Sequence, residues 1–178
     1  MSERILVCDN SIPFAGLVAG ELRQKNAAVA LACREEDLAS GKSERTAAAG
    51  IPVLTDIAWT RSSPLSAKTM LLETRNMIGG LDSALLVFDA QAFFSSLVAG
   101  KDSASALLDE YIDAYVFLVQ ELSLFFNRQK RGRLVFALRP FPSRSGIPGS
   151  PETVFAMAES AFVRLAEETA AHYSSAGS

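Results

Sequence analysis

Three aspartates, Asp9, Asp56 and Asp89, each follow a short apolar run of the sequence. In a parallel sheet such positions gather at the carboxyl edge of the strands, where ligands bind, and three carboxylates there could hold Mg²⁺. Aspartate is equally suited to the turns and helix caps that follow strands, and this plainer reading is preferred. Other side chains with chemical potential are sparse. Cys8 and Cys33 lie in apolar runs with no Cys or His neighbour at metal-ligand spacing, which marks them as small buried hydrophobes. His172 is the single histidine and reads as a surface residue near the chain's end. Trp59, Phe93 and Phe94 could line a groove, but aromatics near strand ends more often belong to a core or an interface. Arg128, Lys130, Arg131 and Arg133 cluster just beyond a helical stretch, where cations offset the helix dipole.

These residues must be positioned by an alternation of strands and helices. Apolar runs at 5–8, 28–32, 51–54, 84–88 and 133–138 are separated by helical or polar segments, the order of a parallel α/β sheet. The runs are continuously apolar, as strands covered by helices on both faces must be. A three-layer α/β sandwich is expected, one domain over 1–173 with about five parallel strands and a flexible tail at 174–178. Pro13 suits a first helical turn, Phe14, Leu17, Val18 and Leu22 have helical spacing, and Asn26 is the expected left-handed stop. A second helix opens at Pro64 and ends at Gly79-Gly80. A long one spans 103–127 with Asp102 or Ser103 as its cap, and a last one spans 152–172.

Composition narrows the function classes. The 178 residues, 49% of them apolar, suffice for one sizeable core. Seventeen basic against twenty acidic residues give a net charge of −3, so no basic footprint points to nucleic acid or an anionic membrane. No stretch approaches the ~18 apolar residues of a membrane span, and Met1-Ser2-Glu3-Arg4 leads into only a short apolar run. The expectation is a cytoplasmic protein without a nucleic-acid or membrane partner.

In order and spacing the elements resemble the short-chain dehydrogenase/reductase family over nearly the whole chain. Ile5-Leu6-Val7, a turn, a helix and Val29-Ala30-Leu31-Ala32-Cys33-Arg34 match the family's first strand-helix-strand unit in length. Asp56-Ile57 resembles its acid plus aliphatic pair beside adenine, Leu81-Asp82 its approach to the fourth strand, and Val87-Phe88-Asp89-Ala90 its Asn-Asn-Ala-Gly motif. Val116-Phe117-Leu118-Val119-Gln120 looks like the long interface helix, Gly132-Arg133-Leu134-Val135 like strand five, and the stretch from Phe155 to Ala161 like the Tyr-x-x-x-Lys segment. The resemblance implies a Rossmann-like fold. It also implies a dinucleotide contacted by Asn10, Ser11 and Ile12 in the first turn, Arg34 after the second strand, Asp56 and Ile57, and Ala90. Arg34 stands where NADPH-preferring members carry a cation for the 2′-phosphate, so NADPH is the form favoured if any cofactor binds.

The departures from the family pattern bear on chemistry. Its three phosphate-approaching glycines are Asp9, Pro13 and Ala15 here, a negative charge, a missing N–H donor and an added Cβ. Phe155 replaces the proton-donating Tyr, Glu159 the Lys, Ile112 the helix Asn, and Arg139 or a neighbour the Ser, which removes the proton relay. The chain also ends where a full-length member continues through two more strands and a substrate-covering segment. No catalytic residue, bound metal or resident cofactor is expected. The implied role is a catalytically degenerate structural or regulatory subunit, a homodimer, a homo-oligomer or a hetero-oligomer with an active homologue. It would associate through its two apolar helices, with Val119 and Phe162 as interface positions. The alternative is an NADPH-dependent oxidoreductase with a non-standard site or one completed by a partner chain. Arg139-Pro140-Phe141 with the three aspartates also resembles a phosphoacceptor receiver domain, but two long helices between Asp56 and Arg139 argue against it.

Overall fold

A strand with no polar face is stable only where helices cover both of its sides. The computed structural model describes residues 2–8, 12–34, 55–61, 63–100, 103–140 and 151–176 and contains five strands, of which the three inner ones are buried in this way. In chain order the elements are β1 (Arg4–Cys8), α1 (Ile12–Gln24), β2 (Ala28–Cys33), β3 (Thr55–Ala58), α2 (Pro64–Ile78), β4 (Ser83–Asp89), α3 (Ala90–Ala99) and α4 (Ala104–Leu108). A π-helical turn (Asp109–Asp113), α5 (Ala114–Gln129), β5 (Arg133–Arg139) and α6 (Pro151–Ala176) follow. The sheet is parallel throughout, in the order β3-β2-β1-β4-β5. This is the expected three-layer Rossmann-like sandwich.

The pleat divides each inner strand between two cores. Leu6 and Cys8 of β1 face the larger one, with Leu86, Phe88, Trp59, Leu118 and Phe162, whereas Ile5 and Val7 face the smaller one, with Ala15, Ala19, Val29 and Leu31. Burying a side chain such as Phe88 or Leu118 is worth roughly 1.5–3 kcal/mol, and the larger core holds most of them. Ala15 fits the smaller core with no exposed surface. Cys8 and Cys33 are buried thiols not joined by a disulfide, as their sequence setting implies.

Helix ends follow local chemistry. Ser63 caps α2 by accepting from the Ser66 N–H at 3.3 Å, with Pro64 in the first turn and Gly79 left-handed at φ 73°. Asn26 stops α1 at φ 63°. At the amino edge of the sheet, Arg4 donates from Nε and Nη2 to the two carboxylate oxygens of Asp82, each at 2.7 Å. Glu3 accepts from the Ser83 hydroxyl at 2.6 Å and pairs with Arg133. These bonds hold the carboxyls of Asp82 and Glu3 below the usual carboxylate range, through the Arg4 side chain for Asp82 and chiefly through Ser83 for Glu3. The basic cluster has structural work of this kind: Arg131 lies 3.8 Å from Asp82, and Lys130 is the left-handed C-cap of α5.

The structure departs from expectation at several points. The strand expected at 51–54 lies outside the described residues, and the described third strand is Thr55–Ala58, paired with Ala30 to Cys33. A helix not anticipated, α3, follows β4 directly, capped by Asp89 and stopped by left-handed Gly100 at φ 64°. The long helix contains a π-helical turn, and α6 continues to Ala176, past the expected start of the tail at residue 174; residues 177–178 lie outside the described residues. Val119 and Phe162, taken as interface positions, are 7% and 2% exposed and belong to the chain's own core. The apolar residues these helices leave exposed are Leu124 on α5 and Met157 and Val163 on α6.

Candidate functional site

Parallel pairing brings the last residues of every strand to one edge, and the strand order reverses there between β1 and β4, the position where open α/β sheets bind ligands. Two separate clusters of side chains occupy this edge.

The first follows β2 and β3. Arg34 lies against the π-helical turn: it pairs with Glu110 at 2.6 Å, donates to the Tyr111 hydroxyl, and sets its guanidinium 5.0 Å from the centre of the Tyr111 ring. A π turn inserts one residue into a helix and re-aims its side chains, a device frequent at functional sites. Here Tyr111 is 3% exposed and Glu110 reaches outward to Arg34. Beyond β3 the Trp59 N–H donates to the Cys33 carbonyl at 2.9 Å, and the indole is buried against Tyr115 with ring centres 6.0 Å apart. Two residues on, the Arg61 guanidinium lies 5.3 Å and 5.2 Å from the ring centres of Trp59 and Tyr111, and the residue is 5% exposed. Among the described residues nothing accepts a hydrogen bond from Arg61 Nε or Nη1, or from Trp59 Nε1. A desolvated cation–π contact contributes about 2 kcal/mol, while withdrawing a guanidinium from water costs several kcal/mol even after relaxation. The stack offsets only part of that cost.

The second cluster follows β4 and β5. Asp89 is the last residue of β4 and the N-cap of α3, accepting from the N–H groups of Gln91 at 3.0 Å and Ala92 at 3.2 Å. It is 2% exposed and pairs with Arg139 of β5 at 3.1 Å. The Arg139 guanidinium also lies 5.2 Å from the ring centre of Phe14 on α1, so one side chain spans from α1 to β4 across the switch point. Phe155 of α6 is 1% exposed and meets Phe94 edge-on at 5.8 Å, and Ile112 packs against the larger core.

Of the residues predicted from sequence, Asp9, Asn10 and Ser11 lie outside the described residues, and Ile12 opens α1. Asp56 and Ile57 lie within β3, opposite Leu31 and Ala32, where the pleat turns them to opposite faces; Ile57 joins the larger core beside Trp59. Ala90 is buried at the start of α3. Asp89 is a cap and an ion-pair partner, the plainer of its two readings, and among the described residues no three His, Cys, Asp or Glu side chains gather as a metal site. Sequence reasoning missed Arg61 and Glu110 and placed Tyr111 only on an apolar helix stripe. The available signal was an arginine two residues beyond a strand-ending tryptophan, at the edge where ligands bind.

Among the described residues, side chains near the positions implied for a nicotinamide dinucleotide are engaged by the chain itself. Arg34, the cation implied for the 2′-phosphate, holds Glu110 and Tyr111, and Arg139 crosses the switch point to Asp89. The position resembling the proton donor is the buried ring of Phe155.

The architecture nonetheless defines a class, the short-chain dehydrogenase/reductase fold. The chain is similar to a dehydrogenase/reductase variant of Serratia marcescens (TM-score 0.59, 19% identity, 92% of this chain and 65% of that one). It is also similar to a short-chain type dehydrogenase/reductase of Mycobacterium marinum (TM-score 0.68, 16% identity, 97% and 69%). A third similar structure is actinorhodin polyketide ketoreductase with NADPH (TM-score 0.64, 14% identity, 92% and 62%). The chain thus spans 62–69% of the length of these three. No family model matches it. At 31% identity over 171 residues, 94% of this chain and 70% of the relative, it belongs to one family with an uncharacterized protein of Treponema pallidum (strain Nichols).

Proposed function

We propose that this chain is a catalytically degenerate relative of the short-chain dehydrogenases that serves as a structural or regulatory subunit, joining a second copy or an active homologue through the outer faces of α5 and α6. The observation that carries the reading is the second cluster: Arg139 is tied to Asp89, and Phe155 is buried, at positions where the family resemblance implies a Ser and a proton-donating Tyr. The exposed Leu124, Met157 and Val163 supply apolar surface on the two helices for association. Incubation with NADPH and a panel of aldehydes and ketones tests the catalytic half of this proposal. The expected rate of NADPH oxidation equals that of the protein-free control, and saturable turnover abolished by a substitution at Arg34 would sink it. The competing reading, an NADPH-dependent oxidoreductase with a non-standard site or a site completed by a partner chain, draws on the NADPH in the ketoreductase structure. It requires Arg34 to leave Glu110.

A further inference from the structure

Three N–H-bearing nitrogens in one aromatic stack, Nε and Nη1 of Arg61 and Nε1 of Trp59, are buried without an acceptor among the described residues. The Arg61 guanidinium lies 5.3 Å from the ring centre of Trp59 and 5.2 Å from that of Tyr111, and its Nε and Nη1 remain to be satisfied. The neighbouring cation, Arg34, pairs with Glu110, whereas Arg61 has no ion-pair partner among the described residues. What is lacking is an acceptor, and a negative one. An oxyanion supplies such acceptors, and a tetrahedral phosphate can present a separate oxygen to each of the three nitrogens.

We propose that Arg61, in cation–π contact with Trp59 and Tyr111, is an anion-binding residue that takes a phosphate group at the carboxyl end of β3. The planar fork suits bidentate phosphate recognition, which a lysine ammonium reproduces only as a point charge. Burial of Arg61, 5% exposed, strengthens its bond to a bound anion. The phosphate is either free in solution or carried on an ester; the chemistry at Arg61 is the same. The inference is independent of the subunit role, because it is read from anion binding and not from association or turnover.

Trp59 is the chain's single tryptophan, so its fluorescence reports this stack alone. The experiment titrates the full chain with inorganic phosphate, NADPH and NADH at constant ionic strength held with chloride, and records Trp59 emission and melting temperature. Saturable phosphate binding is expected, weakened at least tenfold in Arg61→Met and retained in part in Arg61→Lys. A response to inorganic phosphate identifies the free anion as sufficient. A response to NADPH without one to NADH or inorganic phosphate identifies a phosphate ester. In phosphate-free buffer Arg61→Met is expected to melt at or above the wild-type temperature, since it removes a buried charge lacking its partner. If none of the three compounds changes emission or melting temperature, or if Arg61→Met lowers the melting temperature while the response to phosphate persists, the assignment is overturned.

Discussion

Asp89 shows how one residue type serves two readings. Its carboxylate satisfies two N–H groups of α3 and one arginine while almost fully buried, so truncation removes a cap and strands the bonds around it. Asp89→Ala should destabilise the chain by about 2–4 kcal/mol, measured by urea unfolding, whereas Arg139→Ala, with a side chain 44% exposed, should cost under about 1 kcal/mol. At the opposite edge, Arg4 lowers the folded pKa of Asp82 below its ordinary 3.8. A depressed carboxylate contributes stability above its unfolded pKa and loses it as pH falls through the folded value. Asp82→Asn should therefore be less stable than wild type by on the order of 1 kcal/mol at neutral pH, with the gap closing as pH drops below 3.8. A melting-temperature series from neutral pH to pH 3 checks this. The edge position of Asp89 and Arg34 could be read from sequence because each directly follows an apolar run. The engagement of Arg34 by Glu110 and Tyr111, 76 and 77 residues on, could not, since it depends on a π turn that no periodicity announces.

Elements were legible where one physical signal dominated. Pro64 with Gly79 and the left-handed Asn26 fixed helix boundaries, and unbroken apolar runs located β1, β2, β4 and β5. Strand three and α3 were missed because propensity and context disagreed. An apolar 51–54 drew attention from Thr55–Ala58, and the aromatic pair Phe93-Phe94 concealed a helix bounded by Asp89 and Gly100. Between α5 and β5, Gly132 adopts φ 152°, and a Cβ there would fall 2.0 Å from Phe126 Cδ1. Gly132→Ala is expected to lose about 2–4 kcal/mol through strain and displacement of the buried Phe126 ring, visible as a lower denaturation midpoint with an unchanged slope.

At the scale of the whole molecule, a sheet with the dehydrogenase strand order is retained while its carboxyl edge is filled by ion pairs and aromatic rings of the chain itself. Fold and chemistry are separable in this way because the core depends on apolar periodicity and the site on a few letters. The account then assigns the chain's work to association. Its most direct test is the molar mass of the full chain in solution, by size-exclusion chromatography with light scattering, for wild type and for the surface double variant Leu124→Glu/Met157→Glu. The account predicts at least twice the 19.1 kDa monomer mass for wild type, alone or mixed with an active homologue, and a folded monomer for the variant. A wild-type chain that remains at monomer mass at high concentration and with every dehydrogenase homologue tried would contradict it.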